Sequence, residues 1–134
     1  MKLVVHVDGG ARGNPGPAAA AAVITRPDGE AVEEVSERLG KATNNVAEYR
    51  ALLLGLARAR ALGATEVEVV NDSELVAKQI NGDYKVKHPS MRRLHLDARA
   101  ALRQFDRWIV RTVPREQNAG ADALVNQVLD AADV

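Results

Sequence analysis

The chain has 134 residues, 46% of them hydrophobic and 27% charged, the size and balance of one globular domain, which excludes a disordered, collagen-like or coiled-coil protein. Cysteine is absent, so disulfide frameworks, thiolate nucleophiles and cysteine-ligated zinc are excluded, and any metal must be held by oxygen or imidazole. The 18 Lys plus Arg balance the 18 Asp plus Glu, yet nine basic residues against two acidic ones lie between Lys85 and Arg115. Such a segment is either a nucleic-acid footprint or the solvated face of a helix. The longest apolar stretch, Pro17 to Ile24, is far shorter than a membrane span, so no signal peptide or anchor is expected and a cytoplasmic location is.

Lys2 to Val7 is rich in Val and Leu and meets Asp8, after which Gly9 to Pro17 is dense in Gly and Pro; the pattern predicts a buried strand entering a tight turn. Ala18–Thr25 and Ala31–Arg38 are predicted strands joined by Arg26-Pro27-Asp28-Gly29, completing an antiparallel meander. Thr43 or Asn44 caps a predicted helix to about Leu62, ended by Gly63. Its Val46, Leu52, Leu53, Leu54 and Leu56 occupy more than one face, so the helix should be well buried. Glu66–Val70 alternates as a strand, Asn71-Asp72-Ser73 supplies a cap, and Glu74–Ile80 continues as a short helix. A helix from Pro89 to about Phe105, a strand Arg107–Val113 and a helix Gly120–Leu129 complete the chain. The order β-β-β-α-β-α-α-β-α implies an α/β fold, a mixed sheet carrying helices, in a single domain over residues 1–134.

Ligands of open α/β sheets bind beyond the carboxyl ends of strands. Asp8 and Asp72 are expected at such ends, Glu48 in the first turns of the long helix and Asp122 in the first turn of the last one, so four acids scattered in sequence can converge. Converging carboxylates repel and must either take up protons or share a cation. An all-oxygen set with no neighbouring His points to Mg²⁺ or Mn²⁺ over zinc. Taken singly, Asp72 also fits a helix N-cap and Asp8 a turn residue, whereas an acid inside a buried helix, as at Glu48, wants a partner or a metal.

Four stretches carry a resemblance: Asp8-Gly-Gly-Ala-Arg-Gly-Asn-Pro-Gly-Pro-Ala18, Thr43-Asn-Asn-Val-Ala-Glu48-Tyr-Arg-Ala-Leu52, Asn71-Asp-Ser-Glu-Leu75 and Arg115-Glu-Gln-Asn-Ala-Gly-Ala-Asp122-Ala-Leu124. In this order and spacing, over nearly the whole chain, they resemble type 1 ribonuclease H. Tyr84-Lys-Val-Lys-His-Pro89 resembles the compact bacterial and archaeal branch, some members of which are fused to a phosphatase domain; none is expected here. The resemblance implies a five-stranded mixed sheet and an endonuclease that cuts the RNA strand of RNA–DNA hybrids, leaving 5′-phosphate and 3′-hydroxyl ends. It assigns Asp8, Glu48, Asp72 and Asp122 as catalytic ligands of two Mg²⁺ ions, with Mn²⁺ as a substitute. The expected partner is the hybrid alone, bound by a monomer.

The same resemblance brings the Gly-Asn-Pro-Gly turn and the Thr-Asn-Asn segment to the minor groove, where RNA presents 2′-hydroxyls. Asn14, Asn44 and Asn45 are the candidate readers, because an amide both donates and accepts; each also fits a turn or cap. Thr43, helped by Lys41, resembles a pocket for a DNA-strand phosphate, and Ser73 is a further candidate RNA contact. Gly9, Gly10 and Gly13 either permit close backbone approach or satisfy turn dihedrals. Two departures stand out. The basic protrusion of larger relatives is reduced to about Asn81–Pro89, and the histidine that many relatives carry before the last aspartate is missing, leaving Arg115 and Glu116. Arg115 either grips a phosphate or pairs with Glu116 or another neighbour at the surface. Rival readings are a silent hybrid-binding module, another nuclease or transposase-like enzyme of the same fold, and a phosphatase or kinase. The last is disfavoured because the Gly-rich loop has no P-loop lysine.

Overall fold

The computed structural model describes residues 1–132. Its strands are β1 (Lys2–Ala11), β2 (Gly16–Thr25), β3 (Ala31–Ala42), β4 (Glu66–Asn71) and β5 (Arg107–Thr112). Its helices are α1 (Asn44–Ala61), α2 (Glu74–Ile80), α3 (Pro89–Leu102) and α4 (Ala119–Ala132), with a 3-10 turn, Arg115–Asn118, before the last. The five strands form one mixed sheet in the order β3-β2-β1-β4-β5, in which β1 pairs antiparallel with β2 and parallel with β4, and β4 parallel with β5. No helix of the described residues is long and apolar enough to cross a membrane.

Every expected element is present, with shifted ends. The first strand does not stop at Asp8: Gly9, Gly10 and Ala11 continue the ladder opposite Ala20, Ala19 and Ala18, because a partner strand outweighs the weak strand propensity of glycine. β2 accordingly starts at Gly16, and β3 runs on to Ala42 past a bulge opposite Ala18 and Ala19, with Gly40 at φ 70°. α3 ends at Leu102 rather than Phe105 and β5 at Thr112 rather than Val113.

The two sheet faces are covered unequally. Leu3, Val5 and Val7 of β1, Ala20, Ala22 and Ile24 of β2, and Val67 and Val69 of β4 join Leu52, Leu56 and Tyr49 of α1 and Leu94 and Leu102 of α3 in the main core. On the other face, among the described residues, Ala19 and Ala21 pack with Val125 and Leu129 of α4, with Leu124 and Val128 partly buried beside them. The alanine run of β2 is therefore sandwiched, alternate residues facing opposite helices, and its short side chains let both helices lie close to the sheet. α1 is wedged between the sheet and α3, which accounts for leucines on more than one of its faces. A two-pronged contact of Arg58 with Glu33, at 2.6 and 3.0 Å, ties α1 to the edge strand β3.

Gly9 and Gly55 set how closely α1 approaches β1. A Cβ on Gly9 would lie 2.2 Å from the Ala47 carbonyl group, and one on Gly55 2.6 Å from a methyl of Val5. The Gly9 contact is with backbone, which cannot rotate away. Gly9→Ala should therefore cost about 2 kcal/mol or more in denaturant unfolding. Gly120→Ala, whose Cβ meets nothing nearer than Val23 at 3.7 Å, should be neutral or stabilising by up to about 1 kcal/mol. Equal costs for the two changes would rule out close helix–strand approach as the constraint at Gly9.

Candidate active site

The site follows from strand register. The parallel ladder of β1 and β4 ends at the pair His6–Val70; Asp8 stands two residues further along β1, and Asp72 immediately after the last residue of β4. Because side chains alternate, Asp8 projects, like its partner Ala21, on the face of the sheet that carries α4. Asp8 is thus not at the end of its strand, since it pairs with Ala21, but it is just beyond the end of the parallel ladder, where β1 changes from two strand neighbours to one. Asp122 comes from the first turn of α4 on that face, and Glu48 from the second turn of α1 on the other. All four acids line one open cleft, with Gly10, Ala11, Arg12, Asn44 and Arg115 among its other walls.

The electrostatics are those of acids held together against repulsion. Asp8, 9% exposed, is pushed up to about 8, first by burial and then by the charges of Asp72, Asp122 and Glu48, against the pull of Arg115. Burial also raises Glu48, opposed by a hydrogen bond from Ser73, and raises Asp72, opposed chiefly by Arg115. The Asp72 Oδ2 atom is buried without a hydrogen-bond partner; Arg115 Nε lies 3.8 Å from it, on a side chain that is 79% exposed. Arg115 therefore has an acidic neighbour, and it is Asp72 rather than Glu116. Among the described residues no three acidic or histidine side chains are already arranged to hold an ion. The donor set nevertheless suits a hard divalent cation: all oxygen, mutually repelling, with a buried carboxylate oxygen left unpartnered.

The remaining expected contacts separate into two groups. Asn14 and Asn44 stitch the β1–β2 turn to α1: Asn14 Oδ1 accepts from the Asn44 backbone N–H at 3.1 Å, and Asn44 Oδ1 accepts from that of Ala11 at 2.8 Å. Each carbonyl already accepts one backbone N–H, which fixes the orientation of the amide and leaves its N–H₂ group and a second lone pair for a ligand. Thr43 caps α1 by accepting from Val46 N–H at 3.2 Å, and Ser73 caps α2 by accepting from Val76 N–H at 3.2 Å. Asn45 is exposed in the first turn of α1, and Lys41 is exposed on β3 beside Pro17. Of the glycines, Gly13 at φ 91° serves the turn, and Gly9 serves helix packing.

Two buried asparagines escaped the sequence reading. Asn71 receives the Ser73 N–H at 2.8 Å and donates to the Arg111 carbonyl at 3.2 Å, holding the backbone on either side of Asp72. Asn118 donates to the Val7 carbonyl at 2.8 Å. Their signal in sequence is slight: an amide beside an acid, indistinguishable from an ordinary cap.

Comparison with known proteins fits this geometry. Residues 6–128 match the family model described as Reverse transcriptase-like, which sets the class. A bifunctional protein of Mycobacterium tuberculosis is 50% identical over 133 residues, 98% of this chain, but the chain spans only 36% of that protein's length. Ribonuclease HI of Halobacterium salinarum is 45% identical over 131 residues, covering 98% of this chain and 66% of that protein. The crystal structure of ribonuclease H1 from that archaeon superposes with a TM-score of 0.96 at 43% identity, covering 98% of this chain and 99% of the other. LC11-RNase H1, solved in complex with an RNA/DNA hybrid, superposes at 0.94 with 40% identity, again covering 98% and 99%. The chain belongs to the type 1 ribonuclease H family.

A carboxyl whose folded-state value is raised stabilises the fold while it stays protonated, and that contribution is lost as pH climbs from its ordinary value of 3.8 through about 8. Metal-free protein should therefore become less stable across that range. Asp8→Asn should melt higher than the parent at about pH 8, and the gap should narrow at about pH 5, where the parent carboxyl is mostly protonated. Thermal melts in chelator test this, and a gap independent of pH would refute a raised Asp8 carboxyl, whose causes are burial and the neighbouring acids.

Proposed function

We propose that this chain is an endonuclease that hydrolyses the RNA strand of an RNA–DNA hybrid, leaving 5′-phosphate and 3′-hydroxyl ends. The observation that carries the reading is the convergence of four acids from β1, α1, the end of β4 and α4 on one open cleft, walled by the β1–β2 turn and the start of α1. Asp8, Glu48, Asp72 and Asp122 would hold two divalent ions, Mg²⁺ with Mn²⁺ as a substitute. Such a pair, when bound, supplies an activated water for in-line attack on phosphorus and charge stabilisation of the departing 3′ oxygen.

The protein's own groups do the rest. The amide N–H₂ groups of Asn14 and Asn44, held by their backbone contacts, and the exposed Asn45 donate to 2′-hydroxyls, for which DNA has no equivalent. Thr43 and Lys41 receive a phosphate of the DNA strand at the N-terminus of α1, where backbone N–H groups favour an anion. Ser73 steadies Glu48 while capping α2. Arg115 cannot lose its proton at working pH and so cannot shuttle one; beside Asp72 it lowers the charge repulsion of the cluster and offers a forked donor to the phosphate being cut. Lys85 and Lys87 on the segment that replaces the basic protrusion, and Arg92 and Arg93 in the first turns of α3 that follow it, attract the polyanion from a distance. Every group invoked comes from one chain.

The test is incubation of labelled RNA–DNA hybrid, double-stranded RNA and double-stranded DNA with the protein and Mg²⁺ or Mn²⁺. Cleavage of the RNA strand of the hybrid is expected, abolished in Asp8→Asn and in Asp72→Asn with hybrid binding still measurable. Asn45→Ala should weaken binding to hybrid by about 1 kcal/mol and leave DNA duplex binding unchanged. Near-parental turnover in either aspartate variant would refute the metal-ligand assignment.

Arg115 has its own test. Arg115→Ala should lower turnover at least about tenfold, or about 1.4 kcal/mol of transition-state stabilisation, with little change in melting temperature. Arg115→Lys should recover part, since it keeps the charge without the fork. Unchanged turnover in the alanine variant would leave Arg115 a surface partner of Asp72.

A further inference from the structure

Asn118 closes the 3-10 turn immediately before α4 and is 2% exposed. Its Nδ2 donates to the carbonyl of Val7 at 2.8 Å, a contact between residues 111 positions apart. Val7 directly precedes Asp8, and Asn118 stands one helical turn before Asp122. One amide therefore joins the two chain segments that carry the two acids, at the point where the β1–β4 ladder has just ended.

Two features show that this contact does more than fill space. The Asn118 Oδ1 atom is buried with no hydrogen-bond partner, a cost that an apolar residue of similar volume would avoid. The contact between α4 and the sheet is also built on small strand residues: Ala19 and Ala21 against Val125 and Leu129, with Leu124 and Val128 partly buried beside them. Short alanines interlock little with that helix, and the Arg12–Asp130 ion pair holds it more than a turn beyond Asp122, while Asp8 and Asp122 repel each other across the cleft. A directional bond at the root of the helix resists the resulting displacement where greasy packing does not.

We infer that Asn118 is a positioning residue that fixes the separation of Asp8 and Asp122, and so sets the affinity of that side of the cleft for a divalent cation, without touching substrate. This rests on the proposed reading that the four acids hold the ions. Removing a group that orients a metal ligand costs about 10- to 100-fold in metal affinity or activity.

The test uses the full chain with Asn118→Ala and, because alanine removes the anchor at the root of α4, also Asn118→Ser, which keeps a hydroxyl donor on a shorter arm. Three quantities are measured well below each variant's melting temperature: Mg²⁺ binding by calorimetry without nucleic acid, turnover against Mg²⁺ concentration, and KM for hybrid. Mg²⁺ binding in Asn118→Ala should weaken by about tenfold, and turnover should fall at limiting Mg²⁺ and recover at high Mg²⁺. KM should stay within about twofold, because substrate contacts are elsewhere. Asn118→Ser should fall between the two. Parental Mg²⁺ binding in both variants, or a rise in KM matching the loss of turnover, would overturn the inference. Failure of the parent protein itself to bind Mg²⁺ or cut hybrid would instead overturn the reading beneath it.

Discussion

Carboxylates do not gather of their own accord, and mutual repulsion among four of them is the constraint around which this molecule is arranged. Each acid is delivered by a different element, so no local segment has to bear the whole cost. The parallel register of β1 and β4 brings Asp8 and Asp72 level, α4 adds Asp122 from the face on which Asp8 projects, and α1 reaches over the end of the sheet with Glu48. The energy needed to hold them comes from the main core, where Leu3, Val5, Val7, Leu52 and Leu56 are all but fully buried. Asp8, Glu48 and Asp72 all hold their protons more tightly than free carboxyls, first because of burial and then because of their acidic neighbours.

The same constraint explains why glycine and alanine are concentrated where they are. α1 can bring Glu48 to the cleft only if its backbone passes close over β1, and Gly9 and Gly55 make room for it. α4 can bring Asp122 only if it lies flat on β2 and β1, and the alanines of β2 allow that. Both helices are drawn close by the absence of side chains, so small residues act on the site at a distance from any ligand. Polar side chains then lock what packing leaves loose: Asn14 and Asn44 hold the β1–β2 turn against α1, and Asn71 and Asn118 hold the backbone beside Asp72 and Asp8.

Positive charge is placed asymmetrically about the acids. Arg115, largely exposed, is near enough to Asp72 to temper the cluster. The nine basic residues between Lys85 and Arg115 do not form one face. Arg99 is drawn inward, donating to the Ile80 carbonyl with its guanidinium 6.0 Å from the Trp108 ring centre, and Arg111 pairs with Glu68 on the sheet. What reads as a continuous basic tract is therefore divided between arginines tied into the fold and solvent-facing residues such as Lys85, Lys87, Arg92 and Arg93.

Element order and type were legible in the sequence because apolar periodicity, the Thr43 and Ser73 caps and the Gly63 stop are local signals, read within one turn or one strand. The four acids were legible too, because each lies beside such a signal and their spacing matches a family pattern. Strand ends were not: whether Gly9 to Ala11 extend β1 depends on a partner strand, and only pairing with Ala18 to Ala20 decides it. Nor was the commitment of the Asn14 and Asn44 carbonyls to backbone, the choice of Asp72 over Glu116 as the neighbour of Arg115, or the role of Asn118. Each is a contact between segments distant along the chain, and such contacts come into being only when the sheet register and the two helix–sheet distances have been set together. Sequence by itself determined which elements form and which chemical groups they carry; tertiary structure decided which of those groups meet, because meeting depends on packing that no single segment encodes.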